Sequence, residues 1–235
     1  MYQAIETIQV GPTSVQRPPQ ANLQADSVQA DPLHAISRIR GTTSYRRGQE
    51  IYGEGDSAEF WYQLLSGAAR KYALLADGRR RIVDFLLPGD FFGFRARHLR
   101  SFAVEAIIQG TLVASYPRRG IESAADADPA LGRRIREIAF DSISRSQARL
   151  LITGRVTALE KVASFLLEMG HRSFDRAEKT VVLPMSRYDV ADYLALSVET
   201  VSRALGELKR CGAIRFVGPH RIRLVDHASL ENGFH

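Results

Sequence analysis

Residues 186–209 have the sequence SRYDVADYLALSVETVSRALGELK, and this stretch predicts two short helices joined by a tight turn. Ser186 and Ser197 stand where helix N-caps are needed, ahead of the segments 187–194 and 198–209. In the second segment, apolar residues recur at positions 201, 205 and 208, so its polar residues face the opposite side. This arrangement is typical of a helix-turn-helix, in which the second helix enters the major groove of DNA.

The polar side of the second segment carries groups that can bind base edges. Glu199 is expected to accept a hydrogen bond from cytosine N4, and Arg203, one turn later, to donate to guanine O6 and N7. Ser202 lies between them and is expected to approach a thymine. These three residues are the predicted base contacts. The alternative is an ion pair between Glu199 and Arg203 within the helix, worth only about 0.3 to 0.5 kcal/mol when exposed.

A basic hairpin follows the second segment. Cys211-Gly212 ends the helix, and residues 214–217 and 221–224 flank a turn at 218–220, which predicts a two-stranded wing. From Arg203 to Arg223 the chain has six basic residues and one glutamate, a local charge of +5 that suits a phosphate backbone. A solvated basic face is the alternative. The predicted contacts to the DNA backbone are Ser197, Thr200, Arg187, Lys209, Arg215, Arg221 and Arg223.

Two helices are predicted before the helix-turn-helix. Asp128 suits an N-cap and Pro129 a first turn, and apolar residues recur from there to Leu151, with an interruption near Gly154. A second helix is predicted over 156–169, ended by Gly170. The first helix carries a near-heptad stripe that predicts a homodimer, the alternative being that the stripe packs on the preceding domain. The stripe consists of Ile135, Ala139, Ser142, Ile143, Ser146 and Leu150.

Residues 45–116 alternate short β-favouring runs with glycine turns, which predicts a small antiparallel β-roll. The fold class is therefore α+β. Residues 1–31 are rich in Gln, Pro, Ala, Ser and Thr and predict a flexible tail. The predicted domains are the tail over 1–31, the β-roll over 32–127, the dimerisation helix over 128–154 and a winged helix-turn-helix over 155–235.

Composition limits the function classes. The 235 residues carry a net charge of +6 and one cysteine, Cys211, which excludes an internal disulfide and a multi-cysteine cluster. Because two cations precede Cys211, we consider it a candidate for a redox role in which its oxidation weakens DNA contact; a structural cysteine is the alternative. The chain has no run of 18 apolar residues, no phosphate-binding loop, no nucleophile elbow and no metal-ligand spacing among its histidines. We expect a cytoplasmic protein that is neither an enzyme nor dependent on a cofactor or metal.

The β-roll and the helix-turn-helix together resemble the CRP/FNR superfamily of bacterial transcription regulators, over roughly residues 33–226. The second helix has the E-x-x-S-R arrangement of the FNR branch, at Glu199, Ser202 and Arg203, and the whole is most similar to FixK-type regulators of low-oxygen and nitrogen-fixation genes. The glycine motifs of the roll that carry the resemblance are Gly48-Gln49-Glu50-Ile51, Gly55-Asp56, Ser66-Gly67, Asp77-Gly78 and Pro88-Gly89-Asp90-Phe91-Phe92-Gly93.

The resemblance implies a homodimeric activator that binds a palindrome of the TTGAT and ATCAA type and recruits RNA polymerase. This sequence departs from the family pattern at two places. The tail lacks the cysteines that hold the FNR iron–sulfur cluster, and Phe94 replaces the glutamate that binds the ribose of a cyclic nucleotide. Arg100-Ser101 imitates the phosphate-binding pair at a shorter interval from Gly93, and Arg100 is otherwise expected in a surface or interdomain salt bridge. The alternatives are a regulator gated by an unknown small molecule in the roll, and an enzyme or interaction module that uses the roll alone.

Overall fold

The computed structural model describes residues 41–94, 99–175 and 177–232, so the predicted tail lies outside the described residues. Two four-stranded antiparallel sheets form the β-roll, in the orders β1-β8-β3-β6 and β2-β7-β4-β5. This confirms the predicted roll. Its strands are β1 (Gly41–Tyr45), β2 (Glu50–Tyr52), β3 (Phe60–Ser66), β4 (Ala69–Leu74), β5 (Arg80–Leu86), β6 (Phe91–Phe92), β7 (Ala103–Ala106) and β8 (Thr111–Pro117).

One glycine turn of the roll has a clear steric reason. Gly67 joins β3 to β4 with a φ of +84°, a conformation that favours glycine. A Cβ at this position would lie 2.5 Å from Thr111 Oγ1 and 2.8 Å from Thr111 Cα. Thr111 cannot retreat, because it is fully buried and its hydroxyl donates to the carbonyl of Ile108 at 2.8 Å. The Ser66-Gly67 turn predicted from the sequence is therefore set by a close approach between strands.

Three helices follow the roll: α1 (Arg118–Ala127), α2 (Pro129–Thr153) and α3 (Ala158–Arg172). Asp128 caps α2 as predicted, accepting a hydrogen bond from the backbone N–H of Ala130 at 2.8 Å. The prediction missed α1, which occupies the end of the segment assigned to the roll. The prediction that Gly170 ends α3 was wrong, because the helix continues to Arg172. A Cβ on Gly170 would lie 3.2 Å from Leu224 Cδ1, so this glycine provides room for a neighbouring strand.

The C-terminal part has the predicted winged helix-turn-helix. Its sheet runs in the order β11-β12-β10-β9 and includes two strands that the sequence pattern did not indicate, β9 and β10. Both are short, and short strands give little periodicity to detect. The elements are β9 (Phe174–Asp175), β10 (Thr180–Val182), α4 (Arg187–Leu194), α5 (Val198–Arg210), β11 (Ile214–Gly218), β12 (Arg221–Leu224) and α6 (His227–Asn232).

The roll and the C-terminal part share one hydrophobic core. Phe85 on β5 lies against Phe165 on α3 and Tyr193 on α4, with ring centroids 6.2 and 5.1 Å away. Arg172 at the end of α3 reaches back to the roll and donates to Asp90 Oδ2 at 2.8 Å and to the carbonyl of Phe85 at 2.7 Å. These contacts hold the helix-turn-helix in a defined position against β5.

Candidate nucleic-acid interface

The two helices of the helix-turn-helix begin at the predicted caps. Ser186 Oγ accepts a hydrogen bond from the N–H of Asp189 at 3.1 Å, and Ser197 Oγ accepts one from the N–H of Thr200 at 3.2 Å. The turn between them passes through Ala195, whose φ of 55° is in the left-handed region. The N–H of Leu196 then donates to the carbonyl of Ala191 at 2.9 Å and closes the turn.

Helix α5 separates apolar from polar residues as predicted. Its buried side consists of Val201, Ala204, Leu205 and Leu208. Glu199 and Arg203 are exposed on the opposite side, and Ser202 is half-buried beside them. In the described chain Arg203 makes no ion pair with Glu199; its Nη2 donates to Thr200 Oγ1 at 3.4 Å. The structure thus leaves both groups of the predicted guanine–cytosine contact free of each other.

The predicted backbone contacts on the helices lie around the same face. Ser197 is exposed at the cap of α5, and Thr200 is half-buried in its first turn. Arg187, the first residue of α4, donates through Nη1 to Ser202 Oγ at 3.4 Å and thereby joins the two helices on their outer side. Lys209 is exposed in the last turn of α5.

The wing places basic side chains opposite each other. Arg215 on β11 and Arg223 on β12 are directly paired across the two strands, and both are exposed. Like charges at such a cross-strand position are destabilising, so the hairpin alone gives no reason for the pair. Arg223 also donates to the carbonyl of Glu178 at 3.2 Å. This part of the surface is suited to a polyanion.

Arg221 differs from the other two wing arginines because it already has an ion-pair partner. Its Nη1 donates to Asp175 Oδ2 at 2.8 Å. The hydrogen bond from Arg221 holds the pKa of the Asp175 carboxyl below its usual range. Arg221 must therefore leave or share this carboxylate in order to meet a phosphate.

Cys211 lies just after α5 and is exposed. Its thiol donates to the carbonyl of Leu208 at 3.3 Å. This placement next to the wing is consistent with either a redox role or a purely local one, so the redox role stays a prediction.

The predicted dimer stripe on α2 is divided between two surroundings. Ile135 packs against the apolar cluster of the roll, and Ala139 and Ser142 are half-buried. Ser146 is exposed, and its hydroxyl donates to the carbonyl of Ser142 at 3.0 Å. The large apolar side chains that remain open to solvent include Phe140, Ile143, Leu150 and Leu151, with exposed fractions of 65%, 52%, 69% and 74%.

A cavity of about 150 Å³ lies between the roll and α2, where the sequence offered Arg100-Ser101 as a phosphate-binding pair. Its lining includes Phe91, Phe92 and Phe102 as well as Arg100. Cavities that hold drug-sized ligands usually have about 300 to 1,000 Å³. The volume of this cavity lies below that range.

Arg100 has a different role from the surface or interdomain salt bridge that we expected, and that prediction was wrong. The side chain is buried, and its guanidinium carbon lies 4.3 Å from the ring centroid of Tyr52. Nη1 and Nη2 donate to the carbonyls of Gly93 and Phe60. A Cβ on Gly93 would lie 2.7 Å from Nη1, so the glycine admits this contact. The Nη1 and Nη2 groups of Arg100 are thus used for backbone contacts inside the roll.

Two family models match the chain. The cyclic nucleotide-binding domain model covers residues 42–128, and the Crp-like helix-turn-helix domain model covers residues 160–232. The described residues contain no cluster of His, Cys, Asp and Glu that would hold a metal ion. Among the helices within these residues, none is long and apolar enough to cross a membrane.

Similar proteins cover most of the chain. The nitrogen fixation regulation protein FixK of Rhizobium meliloti is 40% identical over 84% of this chain and 89% of its own length. The protein of the same name from Bradyrhizobium diazoefficiens is 38% identical over 87% of this chain and 86% of its own length. The solved structure of FixK2 from Bradyrhizobium japonicum has a TM-score of 0.76 and 42% identity, covering 83% of this chain and 96% of that one.

Proposed function

The chain belongs to the Crp/FNR family of transcription regulators, and we propose that it is an activator that binds a TTGAT and ATCAA palindrome as a homodimer. Its relatives are DNA-binding regulators, and no enzyme family is indicated. By analogy with the FixK proteins, the regulated genes belong to low-oxygen metabolism or nitrogen fixation. The two recognition helices would enter successive major grooves about 34 Å apart.

The observation that carries this proposal is the surface formed by α5 and the wing. Glu199 and Arg203 extend from α5 without neutralising each other, and the wing places Arg215 opposite Arg223. Two adjacent arginines on exposed strands are destabilising by themselves, and a phosphate backbone would remove that cost. Base contacts by Glu199, Ser202 and Arg203 and backbone contacts by the flanking residues account for the exposed charges of this face.

The homodimer is supported by α2. Four large apolar side chains are exposed along one side of this helix: Phe140, Ile143, Leu150 and Leu151. The steps between them are three, seven and one residues. A monomer would leave this apolar strip in water, and pairing with the same strip of a second copy buries both. We place the centre of the interface on these four residues. Ile143 and Leu150 belong to the stripe predicted from the sequence, and Phe140 and Leu151 are additions to it.

The proposed regulator acts without a cyclic nucleotide or an iron–sulfur cluster. This part of the proposal is supported by Arg100, which lies against the rings of Tyr52 and Tyr62, and by the small volume of the cavity beside it, about 150 Å³. Activation would proceed by contact with RNA polymerase. Oxidation of Cys211, next to the wing, would be one way to weaken DNA binding.

One experiment tests the proposal. The protein is purified without additives and used to select duplexes from a random pool, and the selected sequence is then titrated by fluorescence anisotropy at fixed salt. We expect an inverted repeat with TTGAT-like half-sites, bound at nanomolar concentrations with no effector. Binding that appears only after a small molecule is added would favour the ligand-gated alternative. A protein that selects no sequence would contradict the assignment as a regulator.

A further inference from the structure

The first helix of the helix-turn-helix is attached to the roll by a buried ion pair. Arg70 on β4 donates through Nη2 to Glu105 Oε1 at 2.7 Å and through Nη1 to Asp189 Oδ1. The side chains of Arg70, Glu105 and Asp189 are only 14%, 13% and 10% exposed. One arginine of the roll thus connects a roll strand to helix α4 in a site largely shielded from water.

Asp189 also completes the start of α4. Its Oδ2 accepts hydrogen bonds from the N–H of Ser186 at 3.0 Å and from Ser186 Oγ at 2.7 Å, which closes the capping box. Both oxygens of this carboxylate are therefore engaged, one by the helix cap and one by Arg70. The first turn of α4 is consequently fixed relative to β4 through a single side chain.

A second attachment lies one turn further along α4. Asp192 Oδ2 accepts a hydrogen bond from the N–H of Ile82 at 3.3 Å, and the carbonyl of Asp192 accepts one from Arg81 Nη1 at 3.4 Å. Residues three apart lie on the same side of a helix, so Asp189 and Asp192 face the roll together. Two attachments on one side fix the rotation of α4 about its axis as well as its position.

The orientation of α5 depends on that of α4. Val190 and Leu194 on α4 and Leu205 on α5 belong to one buried cluster. On the outer side, Arg187 of α4 donates to Ser202 of α5. A change in how α4 is seated on the roll therefore moves the face of α5 that carries the predicted base contacts.

We propose that Arg70 is a positioning residue for DNA recognition, acting through Asp189 to set the angle at which α5 is presented. The inference rests on the proposed function, because it requires a homodimer on a palindrome. In a dimer joined along α2, the separation of the two recognition helices depends on how each helix-turn-helix is seated on its own roll. Arg70 then determines which half-site spacing the protein accepts, although it touches no DNA.

The test uses Arg70→Met in the full chain and operators whose half-site spacing is normal, one base pair shorter or one base pair longer. For the normal operator we expect about tenfold or greater loss of affinity, since Arg70→Met leaves the largely buried Asp189 carboxylate without a cation, whereas Glu105 keeps Arg80 Nη1 at 3.2 Å. The ratio of the affinity for the normal operator to the affinity for an operator of altered spacing should fall toward one. The salt slope should not change, because no phosphate contact is removed. If Arg70 only stabilised the fold, the Arg70→Met protein would bind more weakly but would keep the wild-type spacing preference. Loss of that preference therefore separates a positioning role from a merely structural one.

Arg79→Met is the matched control, since Arg79 lies in the β4–β5 hairpin beside the same helix-turn-helix but pairs with Asp77 in the open. This variant should bind all three operators like the wild type. If Arg70→Met does not fold, as judged by circular dichroism, Asp192→Ala decides the question by loosening the second attachment. Wild-type spacing preference in a folded Arg70→Met protein, or in Asp192→Ala when the first does not fold, overturns the proposal. A wild-type protein with no spacing preference at all would instead contradict the proposed function.

Discussion

Two arginines of this chain have opposite surroundings and opposite consequences. Arg100 is buried against Tyr52 and donates to backbone carbonyls, so its guanidinium serves the interior of the roll. Burial in the same cluster raises the pKa of Tyr62 to about 12. Arg203 is exposed, and among the described residues its side chain makes a single weak hydrogen bond, to Thr200 Oγ1 at 3.4 Å. The other N–H donors of this planar group are open to the guanine edge that we propose as the partner of Arg203.

Glu199→Ala and Arg203→Ala should each reduce the preference for the guanine–cytosine pair in the half-site. A bidentate base contact contributes about 1 to 3 kcal/mol of discrimination, whereas neither side chain forms an ion pair with any residue that the structure describes. Competition binding at fixed salt measures the first effect, and a thermal melt should give nearly the wild-type midpoint. If both variants prefer guanine–cytosine over adenine–thymine by the wild-type factor, α5 does not contact this base pair.

Asp84→Asn should become more stable relative to the wild type as pH rises. Burial raises the pKa of the Asp84 carboxyl above its ordinary 3.8, despite Arg172 Nη1 at 3.7 Å, Arg145 and Lys71 nearby, with Asp90 adding to the rise. A raised carboxyl pKa makes the folded state bind protons more tightly, so stability decreases as pH rises from 3.8 through the folded pKa. Asparagine does not titrate and escapes this loss. Urea unfolding between about pH 4 and pH 8 measures the difference.

Asp175→Asn is the control of opposite sign. The hydrogen bond from Arg221 lowers the pKa of Asp175, so this carboxylate stabilises the protein above 3.8 and loses that effect as pH falls. Its asparagine variant should therefore lose stability relative to the wild type as pH rises. If the stability of both variants relative to the wild type changed in the same direction with pH, the pKa values of Asp84 and Asp175 would not be shifted in opposite directions.

At the scale of elements, the wing shows how one hairpin combines structural and exposed cations. Arg221 on β12 is paired with Asp175 on β9, two strands away in the same sheet, while Arg215 and Arg223 face each other on the open side. The hairpin register thus concentrates positive charge where the two strands pair. We propose that charge in this position contacts the backbone of DNA, which carries no sequence information directly.

Arg215→Ala should weaken binding to all DNA sequences by a similar factor and reduce the salt slope by about one unit. Arg221→Ala should reduce the slope less, because Asp175 already neutralises part of its charge in the free protein. Titrations at several salt concentrations on the selected operator and on a random duplex measure both. A changed base preference with an unchanged slope would contradict the assignment of the wing to the backbone.

At the scale of the whole molecule, α2 connects the roll on one side with open solvent on the other. Leu131, Ile138 and Ile152 are buried, and the strip with Ile143 and Leu150 is open. A helix of 25 residues with apolar groups on both sides needs two neighbours. The roll supplies one, and a second copy of α2 is the proposed other.

Ile143→Asp or Leu150→Asp should convert the protein to monomers, because each copy would place a charge in the apolar strip. Operator binding should fall much more than thermal stability, since these side chains lie outside the monomer core. Sedimentation velocity measures the mass. Phe174→Asp, the same kind of change at an exposed apolar residue of β9, is the control and should leave the mass unchanged. A Leu150→Asp protein that sediments and binds DNA like the wild type would place the interface elsewhere.

The sequence by itself determined most of the local elements and their order, although α1, β9 and β10 gave no detectable pattern. Ser186, Ser197 and Asp128 cap the helices for which they were proposed, because a cap acts on the N–H groups two or three residues ahead. The faces of α5 follow from periodicity within one helix, and the turns of the roll from glycine. The motifs of the resemblance were also local, and they led to the family that the comparisons confirm.

Only the tertiary structure decided what distant segments do to one another. Arg70 and Asp189 are 119 positions apart, and neither lies in a pattern that indicates the other. Arg100 donates to a backbone carbonyl inside the roll. A glycine stands at position 170, inside α3, where Leu224 of β12 packs closely against the helix. The apolar residues of α2 that remain exposed also depended on which side the roll covers. The physical reason is that periodicity records how a segment alternates between apolar and polar, while burial depends on packing between segments.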